Sequence, residues 1–315
     1  NWFMAKSALV LRALVVIGGF TVLFYCCKFT WKCWRGFRVY VLSEYWRADL
    51  RAYGQWAVVT GATSGIGKAY AMELASRGLD VVLVSRSEGK LQAVAKEIES
   101  MYGRQTRIIQ TDFTEGPQIY PRIAEKLQGL EIGILGTAGT HGNRGHPGTR
   151  ITQVINCNIL SVTQVSVPGL LVRLIINVSS EAASAPQPLL TLYSATKVSS
   201  SFLLTAFNML RRLCFVTPTQ CVTPFIVSTN MTYNIEVGAF VKSASAYAHE
   251  ALNTVGYSSF TSGCVLHALQ HFAFSILFPE WIRLSSFSVR QMERFARSHQ
   301  QQIEAMIQES QKKQS

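Results

Sequence analysis

Apolar and polar positions alternate along the chain in two distinct ways. From Ala13 to Cys27 every residue is apolar or small apart from the amphipathic Tyr25, and the apolar character continues upstream through Ser7–Leu11, interrupted by Arg12. A helix over roughly Ala5 to Tyr25 is long enough to cross a bilayer once Arg12 reaches the interface. From Gly54 onward, short apolar runs alternate with helical spacing. Trp56–Thr60 reads as a strand, followed by a helix from about Ile66 to Arg77 that Gly78 closes. Val81–Ser85 is the second strand, and Leu91, Val94, Ala95 and Ile98 then follow the i, i+3, i+4, i+7 spacing of a helix. Arg107–Gln110, Ile132–Leu135 and Leu174–Val178 read as further strands. Cys214–Val222 stands where a sixth is due, although it carries Pro218, which a central strand tolerates poorly. Apolar strands in this rhythm argue for α/β architecture, a doubly wound parallel sheet covered on both faces. The expected organisation is a membrane anchor with a basic-aromatic interface segment over 1–43, one α/β domain over 44–290, and a polar tail over 291–315.

Charge sharpens the reading of the amino-terminal segment. The net charge of +12 is uneven. Lys28, Lys32, Arg35, Arg38, Arg47 and Arg51 crowd the stretch after the apolar run, among Trp31, Trp34, Phe37, Tyr40 and Trp46. Basic residues mixed with aromatics beside an apolar helix mark a membrane interface rather than a nucleic-acid surface, so lipid is an expected partner and nucleic acid is not. The positive charge follows the span, which predicts a cytosolic catalytic portion. The exit Tyr25-Cys26-Cys27-Lys28 lacks the small residues of a signal cleavage site. The chain opens on Asn1 rather than Met, so residues can precede it. Cysteines 26, 27, 33, 157, 214, 221 and 264 show no metal-like pairing and read as reduced thiols. The apolar stretch Val265–Phe278 is too short for a second span; it lines a pocket or lies on the membrane surface.

Two stretches carry chemistry. The first is Thr60-Gly-Ala-Thr-Ser-Gly-Ile-Gly67, at the strand-to-helix turn. Gly61, Gly65 and Gly67 let the backbone approach a pyrophosphate, and the first free N–H groups of the helix, near Ser64 and Ile66, point at the anion. At the end of the second strand, a carboxylate would hold the ribose hydroxyl of NAD; Ser85 and Arg86 stand there instead. A hydroxyl and a guanidinium can bind a 2′-phosphate, so the expected cofactor is NADPH. The second stretch is Tyr193-Ser-Ala-Thr-Lys197. Tyr and Lys at i and i+4 share one helix face, and a nearby cation lowers the phenol's pKa from about 10 toward a useful range. Ser180, just past the strand Leu174–Val178, lies at a strand carboxyl end, where open α/β sheets bind ligands.

The variant spacing of the glycines with Ser180, Tyr193 and Lys197 resembles the short-chain dehydrogenases/reductases, a Rossmann-like family. That resemblance adds Asn158 as a fourth catalytic position, Asp112 as an adenine contact, and Pro224, Val227 and Thr229 as part of the loop that meets the nicotinamide carboxamide. It implies that Tyr193 donates a proton to a ketone oxygen, Lys197 tunes it and binds the nicotinamide ribose, Ser180 binds the substrate oxygen, and Asn158 holds a water. Segments 54–62, 65–70, 81–87, 108–114, 130–135, 227–232 and 252–256 are similar to the membrane-anchored 17β-hydroxysteroid dehydrogenases, nearest the type 3 androgen-forming branch. The type 12 very-long-chain 3-oxoacyl-CoA reductases are the near relatives. The resemblance implies a 17-ketosteroid or other lipophilic ketone as substrate and a homodimer as one assembly. Lys312-Lys313-Gln314-Ser315 resembles a dilysine signal for the endoplasmic reticulum, with a solvated tail as the other reading. The chain departs from the family pattern in three places: Gly136-Thr137-Ala138-Gly139 replaces a paired asparagine, Thr140–Thr149 is short, and the helix before Leu174 is shortened near Pro168-Gly169. Those departures point to the reading from another class, a catalytically impaired membrane-bound binding or scaffold protein.

Overall fold

The computed structural model describes residues 2–138, 147–166, 172–185, 190–210, 217–232, 234–278, 280–291 and 293–294. Helix α1, Trp2–Phe37, is continuous through the apolar run and its basic-aromatic flank. Its apolar side chains lie bare, Phe20 at 69% and Val15 at 67% exposed. Among the described residues, this is the one helix long and apolar enough to cross a membrane.

Among the described residues, seven parallel strands form the sheet, in the order β3-β2-β1-β4-β5-β6-β9. They are β1 Trp56–Thr60, β2 Asp80–Ser85, β3 Thr106–Gln110, β4 Ile132–Ala138, β5 Leu174–Val178, β6 Thr219–Val222 and β9 Phe260–Thr261. Two further two-residue strands, β7 Val227–Ser228 and β8 Lys242–Ser243, pair separately. The order reverses between β1 and β4, which opens a crevice at the strand carboxyl ends. Along β1, β2 and β5 every position is buried, and successive side chains face opposite sides, so the residues alternate between two cores. Ala57 and Val59 of β1 join one core with Val81, Leu83, Ile134 and Ile176. Trp56 and Val58 join the other with Val82, Leu135 and Ile175. Helix α2, Gly65–Ser76, buries Tyr70, Ala71 and Leu74 in the first core, and α3, Glu88–Tyr102, adds Leu91, Val94, Ala95 and Ile98. Helix α4, Tyr120–Leu127, puts Ile123 and Leu127 in the second.

Two departures noted in the sequence, Pro218 and the Gly136 segment, are compatible with the sheet. The strand expected over 214–222 begins at Thr219, after Pro218, while 211–216 lie outside the described residues. Proline has no N–H for the ladder, but its carbonyl accepts from Ile175 N–H at 3.0 Å, so it ends the connection rather than breaking the strand. The altered segment at Gly136 does not interrupt the sheet either. β4 runs three residues past its expected end, pairing with β5 as far as Ala138 with Val178. Thr137 Oγ1 donates to Asn177 Oδ1 at 2.8 Å across that pair. Gly139, most of Thr140–Thr149, and Pro168-Gly169 lie outside the described residues.

Candidate active site

The glycine turn has the backbone its sequence demands. Gly61 and Gly65 adopt positive φ, +66° and +56°, where a side chain strains the chain. Gly67 allows no Cβ: one would collide with the Gly61 carbonyl oxygen and lie 2.8 Å from its carbon. Gly61 N–H donates to Val84 O at 2.9 Å, closing the turn over β2. Ser64 caps α2 without bonding through its side chain, so the helix opens onto the crevice with Ile66 in its first turn. A Cβ on Gly65 would sit 3.1 Å from Thr229 Cγ2, which places the turn against the loop that follows β6. Val227 is buried in that loop, and Thr229 N–H donates to Thr232 Oγ1.

At the end of β2, Ser85 is buried and its hydroxyl pairs with Thr63 Oγ1 at 3.0 Å. Arg86 is exposed and borders a cavity of about 470 Å³ shared with Gln110, Asp112 and Arg122. Asp112 caps a short turn through Thr114 N–H at 2.9 Å. Thr63 and Arg122 escaped the sequence reading; the first stands inside the glycine motif, and nothing in the spacing singles out the second.

The catalytic candidates gather at the carboxyl end of β5 and on two helices. Helix α5 starts at Pro147, passes through a π-helical turn at Asn156–Leu160 and ends at Ser166. Such turns re-aim side chains and recur at functional sites. Asn158, buried in this one, donates through Nδ2 to Thr196 Oγ1 at 3.2 Å, while its Oδ1 is buried without a partner. Helix α6, Thr191–Leu210, carries Tyr193 largely buried and Lys197 buried. Ser180 caps the turn Glu181–Ala183, and its side chain is hydrogen-bonded to the Tyr193 phenol. Lys197 Nζ donates to Val178 O at 2.8 Å and lies 5.8 Å from the centre of the Tyr193 ring. Burial lowers the lysine to about 8, against a smaller opposing effect of Cys221.

The tyrosine departs from expectation. Burial raises its pKa, and the Ser180 hydrogen bond opposes that only in part. The sequence reading expected the lysine to depress it, but the ammonium is engaged by the Val178 carbonyl. Around the lysine lies a small polar cluster that the sequence reading missed. Ser179 Oγ donates to Lys197 O, Ser201 Oγ to Ser179 Oγ at 2.8 Å, and the Cys221 thiol to Ser201 Oγ at 3.5 Å. Pro224 is joined to the catalytic turn, its carbonyl accepting from Glu181 N–H at 2.9 Å. The structure thus joins Ser180 to Tyr193 and sets Asn158 against Thr196, next to Lys197; Gly65 meets Thr229 at the glycine turn, while Arg86, after β2, and Asp112, after β3, border one cavity.

A family profile described as short chain dehydrogenase matches residues 55–238. The human 17-beta-hydroxysteroid dehydrogenase type 3 is 41% identical over 86% of this chain and 91% of its own length. A very-long-chain 3-oxoacyl-CoA reductase of Anas platyrhynchos is 43% identical over 71% and 76%. The human inactive hydroxysteroid dehydrogenase-like protein 1 is 39% identical over 75% and 76%. Among solved structures, a 7beta-hydroxysteroid dehydrogenase shares the fold at TM-score 0.62 and 24% identity, covering 75% of this chain and 98% of its own. A short-chain dehydrogenase from Sphingobium yanoikuyae, in complex with NADPH, gives TM-score 0.54 and 26% identity over 63% and 83%. The chain belongs to the short-chain dehydrogenase family. It is an oxidoreductase by that membership, and its relatives include a named hydroxysteroid dehydrogenase, a very-long-chain 3-oxoacyl-CoA reductase and an inactive hydroxysteroid dehydrogenase-like protein.

Proposed function

We propose that the protein is an NADPH-dependent reductase of a lipophilic ketone, a 17-ketosteroid of the androstenedione type, anchored in the endoplasmic reticulum membrane with its α/β domain in the cytosol. The observation that carries this reading is the Ser180–Tyr193–Lys197 grouping at the carboxyl end of β5. The dinucleotide has a fitting cradle: Gly67 leaves no Cβ beneath the turn, α2 opens toward the crevice, and Ser85 and Arg86 offer a hydroxyl and a cation in place of a carboxylate. When bound, NADPH supplies the hydride.

The chain's own residues then supply orientation and a proton. Ser180 and Tyr193 are hydrogen-bonded, so one ketone oxygen can meet both hydroxyls. The raised pKa of Tyr193 keeps its phenol protonated at neutral pH, the form needed to donate. Lys197, fixed by Val178 O, sets a positive charge behind the phenol as the proton leaves. Asn158 Oδ1, buried and unpaired, can accept from a water that returns the proton. The groups stand on strand ends and one helix, which hold such geometry rigidly.

The test is NADPH oxidation in detergent by the full chain with androstenedione, beside NADH, a 3-oxoacyl-CoA and the Tyr193→Phe variant. Steroid-dependent turnover that falls by a factor of about 10²–10⁴ in the variant, with cofactor binding kept, is expected. Turnover only with the thioester moves the substrate to the acyl-CoA class. Folded protein that turns over neither is the binding-protein outcome.

A further inference from the structure

Helix α7, Val265–Leu277, reaches back to the catalytic loops through two histidines one turn apart. His267 is wholly buried, and its Nδ1 accepts from Phe225 N–H at 3.3 Å, directly after Pro224. Phe225 also packs edge-on against Phe274 of the same helix, ring centres 6.0 Å apart. His271 Nδ1–H donates to Glu181 Oε1 at 2.7 Å. Glu181 is 8% exposed and follows Ser180 in sequence; its own N–H donates to Pro224 O. Two loops that meet at the reacting centre are therefore tied to one helix, one by each histidine.

The geometry points to Glu181 and His271 as a positioning pair that holds the Ser180 turn in its productive place. The inference rests on the ketone-reductase reading of that site. Glu181 acts through the turn that Ser180 caps, and His271 acts through Glu181; neither is placed on the reacting atoms. A carboxylate this buried is costly without its partner, so removing the imidazole leaves an uncompensated charge one residue from the catalytic serine. The turn then moves to hydrate it. A displacement of the order of 1 Å at a catalytic group costs roughly a hundredfold in rate. His267 does a different job on the same helix face. Burial lowers its pKa to about 4, so it stays neutral and holds Phe225 through a ring nitrogen lone pair. Glu181 in turn raises the pKa of His271.

The experiment uses the full chain in nanodiscs, with His271→Ala, Glu181→Gln and the double variant. His271→Ala is expected to lower kcat by about ten- to a hundredfold while leaving NADPH affinity within about twofold. Adding Glu181→Gln restores a large part of the lost rate, because the orphan is then a neutral amide; free imidazole does the same to His271→Ala. A helix that merely packs gives neither rescue. An unchanged kcat in His271→Ala, or a loss that neither imidazole nor Glu181→Gln relieves, overturns the pair. A second readout needs no turnover: the His271 Cε1 resonance titrates above the usual imidazole range and falls back in Glu181→Gln. That titration with a wild type unable to reduce any ketone defeats the reductase reading and leaves the tie in place. Its absence removes the tie itself.

Discussion

Lys197 concentrates the tension of the site in one side chain. It is 4% exposed, its ammonium donates to the Val178 carbonyl, and burial brings its pKa to about 8 from an ordinary value near 10.5. Between those values the unfolded chain holds the proton more tightly than the folded one, so this residue makes stability rise with pH across that window. Below pH 8 it is a standing cost. Lys197→Met should therefore raise stability at neutral pH by about 1–3 kcal/mol, measured by chemical denaturation, while abolishing reduction. A less stable Met variant would mean that the carbonyl bond outweighs the buried charge. For the same reason, kcat/KM for reduction should fall as pH passes 8 and the charge is lost. A rate profile flat to pH 9.5 would show that the charge is not used. The sequence made the Tyr193–Lys197 spacing legible; it did not reveal that burial, which depends on β5 and β6 closing around α6, sets both titrations.

At the scale of elements, most of the sheet could be read from the chain. β1 and β5 fall where apolar runs place them, and α2 starts within a residue of its expected position, because runs and glycines act locally. The short strands β7, β8 and β9 were not legible. Two residues carry too little periodicity to show, and their pairing is decided by chain segments far away in sequence. The π-helical turn at Asn158 was hidden for a similar reason, since an inserted residue in a helix leaves no mark on composition. The glycine turn was legible by type but not by need. Its tightest point is Gly67, not either of the residues with positive φ. Gly67→Ala should push α2 away from Gly61, lowering stability by about 1–3 kcal/mol and weakening NADPH binding at least about tenfold by fluorescence titration. Retained affinity would show that the turn can yield elsewhere.

For the whole molecule, the join between anchor and α/β domain matters more than either part. Glu44 meets His249, which also holds Glu73 of α2 at 2.8 Å, and Arg77 donates to Asn253 Oδ1 at 2.7 Å. Arg35 donates to Ser258 Oγ, and Val39 is buried. The residues just past the span thus pack on the α/β domain rather than forming a free linker. With α1 bare from Leu14 to Tyr25, an alkaline carbonate wash of cell membranes should leave the protein in the pellet, and protease should reach the α/β domain in intact microsomes. Release by carbonate would argue against a span, and a protected domain would reverse the orientation.

The foot of the anchor also settles how the sheet stops. Tyr40 Oη accepts from Thr261 Oγ1 at 3.0 Å and from Ser262 N–H at 3.1 Å, at the outermost strand, which is only two residues long. Unfinished sheet borders invite strands from other molecules, and proteins blunt them by shortening or covering them. Here the cover is the same segment that leads into the lipid. On that side, neighbouring copies crowded in one leaflet have no free ladder on which to zip together.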